Sequence, residues 1–152
     1  MNAPAFRLYD TEKNLVELGD FRDKKNVLLL FFPLAFTSTC TSELCSVRDN
    51  ASTYLNDETE VLGISVDSVY SLAAYKKQLG LHYTLLSDFN KVASQDYNLL
   101  YDFFTTMKME GVSKRAAFVI DKKGIVQYSE ILENANEVPN FDKIQSVLQL
   151  LD

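Results

Sequence analysis

Residues 26–49 read NVLLLFFPLAFTSTCTSELCSVRD, and this stretch decides the fold. Its opening, Asn26–Phe32, is a nearly continuous apolar run set between the charged Asp23, Lys24 and Lys25 and the proline at 33. A run that short, bounded in this way, predicts a strand buried on both faces. Pro33 ends it, because proline offers no backbone donor to a sheet. A passage rich in Ser and Thr follows, Thr37–Ser42, and then Leu44, Val47, Ala51, Tyr54 and Leu55 recur at helical spacing. That stripe predicts a helix lying on the sheet.

Outward from this unit the pattern repeats. Phe6–Tyr9 and Asn14–Leu18 read as two short strands around a polar turn. Glu60–Val66 (EVLGISV) is a second buried strand, with Asp67 and Ser68 placed to cap a helix over Val69–Leu79 that stops at Gly80. Thr84–Leu86 reads as a short strand and Asn90–Asn98 as a helix. Ala116–Ile120 and Ile125–Tyr128 flank Asp121-Lys-Lys-Gly124, which predicts a hairpin with Gly124 in the left-handed position. Phe141–Leu151 closes the pattern as an amphipathic helix. The order β-β-β-α-β-α-β-α-β-β-α implies an α/β fold, a mixed central β-sheet with helices on both faces.

The 152 residues, 47% apolar and 24% charged, suit one globular domain spanning 1–152. A net charge of −6 argues against the clustered Lys and Arg of a nucleic-acid surface. The longest apolar run, Val27–Phe36, contains a proline and is half the length of a bilayer span. The first residues show no basic and apolar leader pattern. The expectation is therefore a cytoplasmic protein with no membrane partner. Two cysteines in that setting are more often reactive than structural, the competing reading being two buried, inert thiols.

Cys40 falls in the first turn of the helix after Pro33. Free backbone N–H groups and the positive end of the helix dipole favour the thiolate there. Full ionisation of an ordinary thiol at neutral pH gains only about thirtyfold in nucleophile. Enzymes commonly exceed their reference reaction by about a millionfold, so a site at Cys40 needs further groups to orient the substrate and stabilise developing charge. Thr37, one turn earlier, has a hydroxyl placed to serve as such a donor. Taken singly, Thr37 also reads as a helix cap, Pro33 as a strand terminator and Arg115 as a surface charge.

Jointly they carry a resemblance. Pro33, Thr37 and Cys40 stand in the spacing P-x-x-x-T-x-x-C, and Glu43 follows three residues on. LGISVDS (62–68), LLSD (85–88) and RAAFVID (115–121) extend the match along nearly the whole chain. The sequence thus resembles the peroxiredoxins of the alkyl hydroperoxide reductase/thiol-specific antioxidant (AhpC/TSA) family. That resemblance implies a thioredoxin-like fold with extra N-terminal strands and a thiol-dependent peroxidase acting on hydrogen peroxide and organic hydroperoxides. It implies Cys40 as the nucleophile that becomes a sulfenic acid, Thr37 as the hydroxyl that orients peroxide, and Pro33 as a shield of the pocket. Arg115 is then the guanidinium that stabilises the thiolate and binds a peroxide oxygen, and Glu43 the carboxylate that holds Arg115. No metal or other cofactor is implied, since the electrons come from thiols.

Cys45 lies five residues after Cys40. On one helix their Cα atoms are separated by roughly 8 to 9 Å, beyond the ~7 Å limit of a disulfide, so pairing requires the start of the helix to unwind. The C-x-x-x-x-C spacing resembles peroxiredoxin Q (bacterioferritin comigratory protein), which implies Cys45 as the resolving cysteine and a thioredoxin-like reductant. The flanks KNVLLLFFPLAFT and SELCSVRD are also similar to the one-cysteine alkyl hydroperoxide reductase E type, which implies an external thiol or glutaredoxin-like partner and leaves Cys45 a small core residue. A thiol-disulfide oxidoreductase, a different class, wants C-x-x-C, and Thr37 stands where its first cysteine belongs. His82, the single histidine, fits no motif, and one histidine with two cysteines makes a poor zinc set. Tyr97, Tyr101, Phe103 and Phe104 read as an aromatic cluster before Arg115. Leu34 and Phe36 near Cys40 are compatible with a monomer or a homodimer.

Overall fold

Strand β3 (Asn26–Phe31) is buried along its whole length inside a seven-stranded sheet of order β2-β1-β5-β4-β3-β6-β7. The other strands are β1 (Arg7–Asp10), β2 (Leu15–Glu17), β4 (Thr59–Ser65), β5 (Thr84–Ser87), β6 (Arg115–Ile120) and β7 (Val126–Leu132). The structure, a computed structural model, describes residues 1–151. β3, β4 and β5 run parallel, and every other pairing is antiparallel, so the sheet is mixed.

The two-residue period of β3 sorts the core into two halves. Leu28 and Leu30 face one side with Val61, Leu85, Ala117 and Val119. Packed there are Leu44 and Val47 of α1 (Ser38–Asp49), Tyr54 of α2 (Ala51–Tyr54), Leu72 and Tyr75 of α3 (Val69–Leu79) and Ile144 of α5 (Phe141–Leu150). Val27, Leu29 and Phe31 face the other side, where Phe6, Leu8 and Ala93 of the short α4 (Val92–Asp96) cover them. Each fully buried Leu or Val is worth roughly 1.5–3 kcal/mol relative to exposure.

The structure departs from the sequence reading at four places. The stripe from Leu44 to Leu55 is two helices, broken at Asn50 (φ −114°, ψ 35°). The Asn50 side-chain amide donates to the Ser46 carbonyl at 2.8 Å, the local competition with helical bonding that asparagine favours. The stripe survives the break because Tyr54 still points into the core. Helix α4 is shorter than Asn90–Asn98, since Lys91 and Asn98 both take left-handed backbone (φ 64° and 58°) and close it at either end. A 3-10 turn, Leu18–Phe21, follows β2.

The fourth concerns Asp67. Ser68 alone caps α3, accepting from the Ser71 N–H at 3.1 Å. Asp67 turns away and accepts from the Ala35 N–H at 2.8 Å and the Ser65 hydroxyl at 2.6 Å. It therefore ties the end of β4 to the loop that leads into α1. The hairpin turn is as the sequence predicts: Gly124 has φ 82°, and the Asp121 carboxylate accepts from the N–H groups of Lys123 and Ile125.

Candidate active site

The loop between β3 and α1 is fixed before the helix begins. Pro33 is buried, Asp67 holds Ala35, and Phe36 takes a left-handed turn (φ 69°) that swings the chain into Thr37. Thr37 is the N-cap residue by backbone (φ −91°, ψ 151°), yet its side chain caps nothing. Its hydroxyl donates to the Leu34 carbonyl at 2.8 Å. A hydroxyl has one hydrogen, so Thr37 presents only lone pairs to anything else. In this arrangement the Thr37 proton is given to the loop.

Cys40 is the third residue of α1 and fully buried. Glu43, one turn on, shares its face of the helix. Arg115 opens β6, which pairs antiparallel with β3 and so carries the guanidinium to the end of β3 where α1 starts. Arg115 Nη2 donates to Cys40 Sγ at 3.3 Å and to the Ala135 carbonyl at 3.0 Å, while Nη1 donates to Glu43 Oε1 at 2.7 Å. The ion pair is almost wholly dry, with side-chain exposures of 1% for Arg115 and 0% for Glu43. Burial pushes the Glu43 carboxyl up to about 7, Arg115 opposing the rise. Burial works against the charge of Arg115 as well, but Glu43 and Cys40 overcome it and keep it a cation.

Two buried polar atoms of this cluster lack partners: Glu43 Oε2 and Arg115 Nε. The raised carboxyl fits its burial: the unpartnered Oε2 is less costly to bury with a proton than with charge.

Cys45 is half-buried further along the same unbroken helix, and both cysteines are free thiols. Helix geometry places their Cα atoms roughly 8 to 9 Å apart. His82 is exposed. Among the described residues, no three His, Cys, Asp or Glu side chains gather as a metal set. The aromatic residues before Arg115 do not form one cluster. Tyr97 packs on Phe31 and Phe118 (ring centroids 5.2 and 5.1 Å), Tyr101 stacks on Phe104 (5.2 Å), and Phe103 is exposed. Tyr101 keeps to the Arg115 side, its hydroxyl donating to the Glu133 carbonyl at 3.1 Å. A cavity of about 720 Å³ lies elsewhere, lined by Phe6, Tyr9, Tyr70, Phe89 and Val92, without Cys40 or Arg115.

Two participants carry little signal in sequence. The Ala135 carbonyl is a backbone group, which no residue type announces. Asp67 lies within the LGISVDS match, but capping is the ordinary reading of an acid before a helix.

The family model for the AhpC/TSA family matches residues 1–129. The chain belongs to the AhpC/TSA family. Among its relatives, alkyl hydroperoxide reductase E of Mycobacterium tuberculosis is 38% identical over 131 residues, covering 85% of this chain and 82% of that protein. The reduced 2-Cys peroxiredoxin of Plasmodium vivax superposes with a TM-score of 0.82 at 35% identity, covering 97% of this chain and 92% of that one. Peroxidoxin BcpB of Mycobacterium tuberculosis does so with a TM-score of 0.85 at 27% identity, covering 100% and 96%. This AhpC/TSA protein is a peroxiredoxin, a thiol-dependent peroxidase, on a thioredoxin-like fold to which β1 and β2 add N-terminal strands.

Proposed function

We propose that Cys40 is the peroxidatic cysteine and that it reduces hydrogen peroxide and organic hydroperoxides in the cytoplasm. The observation that carries this reading is the buried contact of Arg115 Nη2 with Cys40 Sγ at 3.3 Å, at the start of α1. A cation and a helix N-terminus converge there on one sulfur. The thiolate attacks the nearer peroxide oxygen. An S–O bond forms to the hydroxyl oxygen, the O–O bond breaks, and the departing oxygen takes a proton from solvent water to leave as water or alcohol, giving Cys40 sulfenic acid.

Thr37 accepts the hydrogen of the incoming peroxide, because its own proton is held by Leu34. Arg115 Nε, a buried donor with no protein partner, supplies the hydrogen bond to the oxygen on which charge builds. Glu43 fixes the guanidinium plane, and Pro33 closes the loop against water. Cys45 then attacks the sulfenic sulfur. The Cys40–Cys45 disulfide forms, the hydroxyl leaves as water, and a thioredoxin-like dithiol restores both thiols.

The alternative is favoured by the unbroken helix between the two cysteines and the similarity to alkyl hydroperoxide reductase E: an external thiol resolves Cys40. Intact mass and free-thiol titration after one equivalent of hydrogen peroxide separate the two. The expected result is loss of both thiols without added oxygen in the wild type, a sulfenic acid in Cys45→Ser and no reaction in Cys40→Ser. A sulfenic acid in the wild type with Cys45 still titratable assigns resolution to an external thiol. Peroxide turnover by Cys40→Ser refutes the assignment altogether.

A further inference from the structure

Resolution by Cys45 requires the first turns of α1 to open, so the contacts that hold those turns shut acquire a kinetic meaning. Thr41 donates twice to the Thr37 carbonyl, through its N–H at 3.0 Å and its hydroxyl at 2.8 Å. The same hydroxyl oxygen lies 2.9 Å from the Tyr75 hydroxyl. The single Thr41 hydrogen is already given to Thr37, so Tyr75 is the donor in that pair. The result is a directed chain: Tyr75 O–H to Thr41, Thr41 O–H to the Thr37 carbonyl, and Thr37 O–H to the Leu34 carbonyl. It runs from α3 through the segment that must unwind and into the loop before it.

The ring of Tyr75 is buried and packs on Phe36 at 4.9 Å and on Phe32 at 6.3 Å, so the hydroxyl is aimed by a fixed side chain. Burial pushes its phenol up to about 12, so it remains a donor at working pH. A second tyrosine grips the helix further on. The Tyr83 hydroxyl donates to the Leu44 carbonyl at 2.7 Å, next to Cys45. One tyrosine thus holds the half of α1 that carries Cys40, and the other holds the half that carries Cys45.

We propose that the Tyr75 hydroxyl is a latch on the first turn of α1 which sets the rate at which Cys40 leaves its pocket to meet Cys45. This rests on the reading of Cys45 as the resolving cysteine. Tyr75 is a positioning residue: it touches Thr41, not the reacting sulfur. While the latch holds, Cys40 sulfenic acid stays in the pocket and is exposed to a second peroxide, which oxidises it to sulfinic acid with release of water or alcohol. Release of the latch favours the disulfide instead.

The test is Tyr75→Phe, which removes one oxygen and keeps the ring. Deuterium exchange at the amides of residues 38–44 reads opening of the helix start. Quenched mass spectrometry after a peroxide pulse reads disulfide formation and the division between disulfide and sulfinic acid. Loss of one net hydrogen bond predicts exchange and disulfide formation faster by roughly two- to tenfold, with the sulfinic fraction falling in step. The second-order reaction of Cys40 with peroxide stays as in the wild type. Thr41→Val cuts the same chain, and its effect combined with Tyr75→Phe is expected to be smaller than the product of the two. Tyr83→Phe, on the half that stays wound, serves as the control for general loosening.

Unchanged exchange and an unchanged disulfide rate in Tyr75→Phe overturn the latch while leaving the role of Cys45 intact. Equal acceleration by Tyr83→Phe also overturns it, because the effect is then only destabilisation. Absence of any disulfide in the wild type removes the resolving role itself and the latch with it.

Discussion

Replacement of Glu43 by glutamine tests the electrostatics of the buried cluster where its sign is least obvious. Glu43 makes one ion pair at 2.7 Å with Arg115, and the usual expectation for such a carboxylate is stabilisation that grows as pH rises. Here burial outweighs the pair and lifts the carboxyl from 4.5 to about 7. Between those two values the folded protein binds a proton that the unfolded chain has released. Its contribution is therefore complete below pH 4.5 and is lost as pH rises through about 7. The gap corresponds to on the order of 3 kcal/mol over that window. For a chain of this size it amounts to roughly 10 °C in Tm.

The Glu43→Gln variant is the neutral reference. The carbonyl oxygen of the new amide accepts from Arg115 Nη1 as Glu43 Oε1 does, and its nitrogen takes the place of the unpartnered Oε2. Burial and Arg115 are the causes of the shift, and the comparison is made in Cys40→Ser, which keeps both and removes the reactive thiol. Urea unfolding of Cys40→Ser and Cys40→Ser/Glu43→Gln at steps from pH 5 to pH 8 is the assay. The protein that keeps Glu43 is expected to lose stability relative to the Glu43→Gln protein as pH rises, most steeply near 7. A flat difference, or a gain for Glu43 with rising pH, refutes the reasoning and makes Glu43 an ionised partner of Arg115 throughout.

Arg115→Ala removes the donor to Cys40 Sγ and the unpartnered Nε. A fall of about 10²–10³ in the second-order rate with peroxide is expected, with a much smaller loss in alkylation of Cys40 by iodoacetamide, because the donor acts on charge that develops only in peroxide cleavage. Equal losses in the two reactions contradict that role. Thr37→Val deletes the acceptor lone pairs and the bond to Leu34, and a loss of roughly tenfold or more in the peroxide rate is expected, largely restored in Thr37→Ser. Stopped-flow kinetics on both variants checks this, and similar rates in the two refute a use for the hydroxyl.

Much of the fold is readable from β3, because a short apolar run before Pro33 has few alternatives and its neighbours repeat the pattern. Gly124 and Ser68 are legible for the same local reason: one residue type answers one backbone requirement. The break at Asn50 is not, since the apolar stripe continues across it to Tyr54 and periodicity records faces, not hydrogen bonds. The left-handed residues that shorten α4, Lys91 and Asn98, are not the glycines that announce such conformations. At the site, Cys40 and Arg115 are marked by their motifs, 75 positions apart, but the contact between them depends on β6 lying beside β3. The direction of the Thr37 hydroxyl is set by the carbonyl of Leu34, a backbone group to which the signature spacing is blind. Asp67 misleads because it stands where a cap is expected but does no capping: Ser68 suffices, which frees the acid to hold Ala35.

The two proposed half-reactions make contrary demands on one helix turn. Attack on peroxide needs α1 wound at Cys40, with the sulfur held by Arg115. Disulfide formation needs the same turn open, across the roughly 8 to 9 Å that helical geometry sets between the Cα atoms. Chemistry supplies the change in balance. The contact between Arg115 and Cys40 joins two opposite charges only while the sulfur is a thiolate, and that attraction goes when the sulfur becomes neutral. Once the sulfur is a neutral sulfenic acid, Arg115 keeps its full bonds to Glu43 and Ala135 and its hold on Cys40 weakens. What still closes the turn is then the uncharged chain from Tyr75 through Thr41 to Thr37. The first step is thus governed by charge at Arg115 and the second by a neutral hydrogen bond at Tyr75, and the two are separable by substitution.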